Sequence, residues 1–163
     1  MRIEEQIEEA VKEKVRDIHR QVEARAGEVA NELRTAALEV LRGERSGRVY
    51  KKPGTYGSRM NKRTKKLLPQ YGHKLRGGQL YQASAAGEPP AERTNTLRRS
   101  WKEKVTSSNK PGTTEVKAFI ETNVEYAAAL EEGTDKMAPR PISEPIIEKA
   151  KPRIRKIFSK PYT

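Results

Sequence analysis

The chain contains no cysteine, which excludes a disulfide framework and any thiolate metal site and suits a reducing cytosol. Its two histidines, His19 and His73, lie far apart, and neither has a Cys, His or carboxylate partner at ligand spacing. They read as solvent-facing polar residues, and no metal or cofactor is expected. No apolar run approaches the roughly eighteen residues a spanning helix needs. The start, Met1-Arg2-Ile3-Glu4-Glu5, lacks the apolar stretch of a signal peptide or anchor, so no membrane contact is expected. There is no nucleophile-elbow serine and no phosphate-cradling glycine motif. Glu131 and Glu132 are the one adjacent acidic pair in a candidate turn, but neighbours on a helix point about 100° apart and do not share a substrate. No residues carry an enzyme hypothesis. Aromatic residues are scarce at 6%, and hydrophobic residues, at 34%, only equal the charged ones. That is lean for the core of one 163-residue domain, and it is the profile of a protein that buries apolar surface against copies of itself.

What the chain does have is charge, unevenly placed. Residues 1–43 carry 8 Lys/Arg and 10 Asp/Glu; residues 44–76 carry 11 and one; residues 77–163 carry 15 and 11. The net charge of +12 is therefore mostly the property of one segment. Three parts follow: a long helix over 1–43, a basic loop over 44–78, and an α+β core with a C-terminal helix over 79–163.

Residues 3–42 read as one helix, with no Pro, a single Gly (Gly27) and a high share of Glu, Lys, Arg, Ala and Leu. Its apolar positions are Ile7, Val11, Val15, Ile18, Val22, Ala26, Val29, Leu33, Ala37 and Val40, spaced as an eleven-residue repeat. That repeat runs nearly parallel to the axis. At about 1.5 Å per residue, forty residues span about 60 Å. Part of such a helix projects or lies against a neighbour, and Val22 and Leu33 are the positions where an intersubunit face is tested. Gly43 is expected to end the helix in the left-handed conformation.

The segment 44–78 holds six Gly and two Pro and reads as a loop, with a turn of helix over Asn61–Leu68. Tyr50, Tyr56 and Tyr71 are interleaved with Arg48, Lys51, Lys52, Arg59, Lys62, Arg63, Lys65 and Lys66, a pattern suited to sequence-independent contact with nucleic acid or to an acidic partner. From Arg45 to Arg76 the segment is expected to be mobile in the free subunit and to order on assembly. Beyond it, Gln79–Ala83 reads as a strand, and Thr94 as the cap of a turn over Asn95–Arg99. Trp101–Thr106 and Glu115–Glu121 read as a hairpin about a turn at Asn109-Lys110-Pro111-Gly112. Tyr126–Glu132 reads as a helix ended by Gly133. Ser143 is expected to cap the last helix, and Pro152 to kink or split it. The fold class is α+β: a small antiparallel sheet covered by the short central helix and the C-terminal helix, with the long helix along one side.

Two blocks stand out. Pro89-Pro90-Ala91-Glu92-Arg93-Thr94-Asn95-Thr96-Leu97 is followed about forty residues later by Tyr126-Ala127-Ala128-Ala129-Leu130-Glu131-Glu132-Gly133-Thr134 and then Arg140-Pro141-Ile142. In that order they resemble the tail-completion or neck proteins of long-tailed bacteriophages. That family has a Pro-Pro-x-x-x-Thr-Gly-x-Leu block before a Tyr-Ala-x-x-x-Glu-x-Gly-Thr block and an Arg-Pro step. Asn95 stands where Gly is usual, a mild change because Asn tolerates the left-handed backbone. Glu132 stands where an aromatic is usual.

The resemblance implies a structural virion protein, a ring in the neck that joins the DNA-filled head to the tail. Its partners would be copies of itself (six, with twelve open), the neighbouring connector and tail rings, and genomic DNA in the central channel. It implies that Pro89, Pro90, Thr94, Leu97, Gly133, Thr134, Arg140 and Pro141 make fold-defining turns. From the residues themselves, Gly133 should need positive φ, and Arg140 should pair with Glu131 or Glu132. A reading from another class is a stand-alone nucleic-acid-binding protein, acting through the basic loop and dimerising through the helix.

Overall fold

The computed structural model describes residues 2–51, 58–60, 67–69, 80–110 and 113–162. In chain order the elements are α1 (Ile3–Arg42), β1 (Val49–Lys51), β2 (Ser58–Met60), β3 (Leu67–Pro69), β4 (Leu80–Gln82), α2 (Thr96–Ser100), β5 (Lys102–Lys110), β6 (Thr113–Glu121), α3 (Tyr126–Glu132) and α4 (Ser143–Phe158). This is the α+β class read from the sequence.

α1 forms where helix propensity and period agree. Glu4 and Glu5 sit in its first turn, favourable to the helix dipole, and the Arg2 backbone N–H donates to Glu5 Oε2 at 3.0 Å. Its end differs from expectation. Gly43 has φ −58° and ψ 161°, an extended conformation rather than a left-handed one. Arg45 takes over the terminal carbonyl instead: its Nη2 donates to Val40 O at 2.7 Å, beside the Gly43 N–H at 3.3 Å.

Two elements pack on α1. α4 runs antiparallel to its C-terminal half, with Lys149 on Glu39 (3.5 Å), Arg153 on Glu39 (2.9 Å) and Glu32 (3.3 Å), and Lys160 on Glu28 (3.6 Å). The hydrogen bond from Arg153 holds the Glu39 carboxyl below its usual range. The β5–β6 hairpin lies along another side, in register from Lys102↔Glu121 to Lys110↔Thr113. Asn109 and Lys110, expected in the turn, belong to the strand. Glu103, Val105 and Ser107 pair across with Ile120, Ala118 and Val116. This face meets α1: Arg34 Nε lies 3.2 Å from Glu103 Oε2, and His19 Nε2 lies 3.3 Å from Ser107 Oγ.

The core is made where these elements meet: Ala36, Ala37, Val40 and Leu41 from α1, Leu97 from α2, and Ile142, Ile146 and Ala150 at α4. The alanines let the helices approach closely, and Ile142, 1% exposed, gains about 1.5–3 kcal/mol from burial. α4 is not split at Pro152 but continues to Phe158, with Pro145 in its first turn as expected. Tertiary packing of Ala150 and Ile157 on either side of the proline holds the helix together.

The basic segment is also less irregular than its composition suggests. β1 pairs antiparallel with β4, and β2 with β3. Val49 and Tyr50 are good strand formers and find a partner in Leu80-Tyr81-Gln82. Leu67 and Leu68, expected at the end of a helical turn, are in strand β3; the rest of that turn, Asn61–Lys66, lies outside the described residues.

Candidate functional site

The residues of the two blocks meet at one corner beside α4. Gly133 ends α3 with φ +80°, as expected. A Cβ there would sit 2.8 Å from Met137 O and from Pro139 N. The chain turns through a Thr134–Met137 bridge, with Thr134 N–H donating to Met137 O at 2.8 Å and Met137 N–H to Thr134 O at 3.0 Å. The Lys136 N–H lies 3.4 Å from the Thr134 hydroxyl. The chain then doubles back, and Arg140 N–H donates to Leu130 O at 2.8 Å.

Arg140 does not pair with Glu131 or Glu132. Its Nη1 donates to Ser84 O at 2.9 Å and to the Ser84 hydroxyl, joining the corner to the stretch after β4. Glu131 is already committed elsewhere. Its carboxylate accepts the Ile142 N–H at 2.6 Å and the Ser143 N–H at 3.2 Å, so Glu131 caps α4. Ser143, expected as the cap, is the first helical residue and makes no cap bond. An ionised carboxylate at a helix N-terminus outdoes a hydroxyl because it meets both the free N–H groups and the dipole.

In the first block, Pro90 is buried and its carbonyl accepts Arg45 Nη2 at 3.1 Å. Pro89 is half-buried beside it, and Pro141 is half-buried at the corner. Asn95 takes φ +64°, the conformation in which Asn substitutes for Gly. Thr94 does not cap α2; its hydroxyl lies 3.0 Å from that of Thr96. Leu97 enters the core.

Sequence reading missed three tethers of the basic segment. Glu88 accepts the Ser46 hydroxyl at 2.5 Å, the Ser46 N–H at 3.1 Å and the Ala85 N–H at 2.9 Å. These bonds, the Ser46 hydroxyl first, hold its carboxyl down to about 2. Gly47 N–H donates to Ala83 O and Ala83 N–H to Arg48 O, both at 2.9 Å. The third tether is Arg45. The stretch Arg45–Lys51 is thus tied to the fold, contrary to the expectation that mobility begins at Arg45. The available signal was modest: a lone acid, Glu88, before Pro89-Pro90, in reach of a serine. Of the eight loop cations, Arg48 is exposed on the approach to β1, Lys51 lies in β1 and Arg59 in β2. Lys52, Lys62, Arg63, Lys65 and Lys66 lie outside the described residues, as do Tyr56, Tyr71 and His73.

Between the β1–β4 pair and the turn into α2 lies a cleft of about 690 Å³, lined among others by Arg48, Tyr50, Tyr81, Thr94, Tyr126 and Arg140. Tyr50 and Tyr81 stand 6.0 Å apart, ring to ring. Such a wall offers cations and π-faces, and no pairing of nucleophile and base. Among the described residues no group of three His, Cys, Asp or Glu could hold a metal, and no helix is long and apolar enough to cross a membrane.

The other candidate surface is the N-terminal half of α1. Leu33, expected on an intersubunit face, packs against the chain's own core, and Val22 is half-buried. Earlier in the helix, Ile3, Ile7, Val11, Val15 and Ile18 are between 40% and 75% exposed. The stripe outruns what the chain itself can cover. No protein-family model, curated protein or solved structure matches this chain.

Proposed function

We propose that this chain is a structural component of a tailed-phage particle: a homo-oligomeric ring in the neck, between the DNA-filled head and the tail. It assembles in the bacterial cytoplasm as six copies, with twelve the alternative. Connector and tail rings are its neighbours, and its basic segment faces genomic DNA or an acidic neighbour. The observation that carries this reading is the corner. The residues on which the resemblance to neck proteins rests have a physical task each: Glu131 caps α4, Gly133 makes the reversal, Arg140 ties it to Ser84, and Leu97 and Ile142 fill the core. The projecting, uncovered half of α1 adds a reason for self-association. No catalytic constellation competes with this reading among the described residues.

Native mass measurement and negative-stain images of the purified chain test it. A closed ring of six or twelve copies, with weak and strongly salt-dependent binding of short DNA, is the expected result. Each phosphate neutralised contributes about −0.9 to the log–log salt slope. A monomer or dimer that binds duplex tightly overturns it in favour of the nucleic-acid-binding reading. The observation that favours this second reading is the exposed Tyr50 beside Tyr81 and Arg48.

A further inference from the structure

We infer that the N-terminal half of α1 docks on the outer face of α4 of the next copy, so that self-association is head-to-tail and each chain gives one surface and receives on another. The inference rests on the self-assembly part of the reading above and is independent of the phage part.

Two uncovered apolar stripes exist on this chain, and they differ in charge. The first runs from Ile3 to Ile18, about 22 Å at 1.5 Å per residue. Between those residues stand six acids and three cations, with Glu4 and Glu8 on or beside the apolar line by their helical angle. The second is on α4. Ile147 and Phe158 are 57% and 54% exposed, and Ile154 between them is half-buried. Their spacing of seven and four puts all three on one side of the helix over about 16 Å. From Lys149 to Lys160 there are six cations and no acid. Lys149, Arg153 and Lys160 are taken by acids of the chain's own α1. Lys151, Arg155 and Lys156 are exposed and have no ion-pair partner among the described residues. Lys151 and Arg155 border the Ile147–Phe158 line.

The chain already contains one instance of this contact. The C-terminal half of α1 meets α4 through an apolar stripe flanked by Glu28, Glu32 and Glu39 on α1 and by cations on α4. The N-terminal half continues the same eleven-residue repeat with the same flanking chemistry. It projects beyond its own α4, so the remaining basic–apolar face it fits belongs to another copy. The two surfaces differ, so the contact is heterologous and propagates until rotation closes it into a ring. A symmetric pairing of two α1 tips would instead bring acidic ends together.

The test uses two single-face variants of the full chain, Ile7→Asp and Phe158→Asp, with native mass measurement and a thermal melt of each. Both positions are exposed, so both variants keep their fold. Each alone is expected to run as the 18.5 kDa monomer. Mixed in equal amounts, they are expected to form a dimer and nothing larger, because one intact tip and one intact α4 face remain. Charge reversal gives a second arm. Glu4→Lys with Glu8→Lys, and Lys151→Glu with Arg155→Glu, each weaken assembly, and all four together restore it. A wild-type oligomer that survives Phe158→Asp overturns this contact and leaves the ring reading standing. A wild-type chain that is monomeric at high concentration overturns both. A mixture that stays monomeric while both variants melt normally also overturns the contact.

Discussion

From Ala26 to Leu41 the apolar stripe of α1 is covered by α4 and neighbouring elements, whereas from Ile3 to Ile18 the same repeat faces solvent. The covered half carries alanines at 26, 30, 36 and 37, which let another helix come close; the uncovered half carries Ile and Val. A period tells which face of a helix is apolar, and the size of the residues on it tells how near its partner lies. Small residues fit a partner built into the chain. Large branched ones leave room for a partner that arrives later.

The sharpest break of that comparison is one substitution in each half. Ala37→Asp buries an unpaired charge at a position 0% exposed and should cost on the order of 3–5 kcal/mol, enough to unfold the chain. Val11→Asp, on the uncovered half, should leave the monomer's denaturant midpoint within about 0.5 kcal/mol of wild type. Equal effects would mean that the two halves are not differently packed. Next in size is Gly133→Val, which acts on the corner that presents α4 to the covered half. Positive φ together with backbone atoms at 2.8 Å should cost about 2–4 kcal/mol by urea titration. An unchanged midpoint would remove the corner from the account.

Smaller is Gly27→Ala, near the junction of the halves. Nothing lies within 4 Å of the added Cβ, so the helix should gain about 1 kcal/mol, read as a raised melting temperature. A loss would mean that another copy approaches Gly27 closely. The smallest effect concerns acid. The folded Glu88 carboxyl titrates at about 2, below the model value of 4.5. Its contribution is present above about pH 4.5 and is lost as pH falls toward 2. Glu88→Gln should therefore flatten part of the acid limb of stability while leaving amide exchange in the uncovered half of α1 unchanged.

Much of the fold was legible because it is written locally. α1 announces itself over forty residues by propensity and period, the hairpin by alternation, and Gly133 and Asn95 by the backbone each tolerates. The rest is made by side chains that reach far along the chain. Arg140 finds Ser84 across 56 positions, Glu131 caps a helix that starts after Ile142, and Arg45 closes α1 in place of a left-handed Gly43. Such bonds leave no periodic trace, and each displaced an expectation built from nearest neighbours. The basic segment misled for the opposite reason, since its charge and glycine content hid two short strand pairings that depend on a few β-formers.

Arg25 marks where the two halves of α1 part. Its Nη2 donates to Pro161 O at 2.6 Å, and its guanidinium lies 3.7 Å above the Tyr162 ring, so the last residues clasp the helix at its waist. Mechanically that clasp is a fulcrum, and the free half is a lever arm. From Arg25 to Ile3 is about 33 Å at 1.5 Å per residue, so about 5° of play at the waist swings the tip by about 3 Å. A neighbour gripping the tip has leverage over the whole subunit, and the stiffness of one cation–π contact sets how much angular tolerance a growing assembly has.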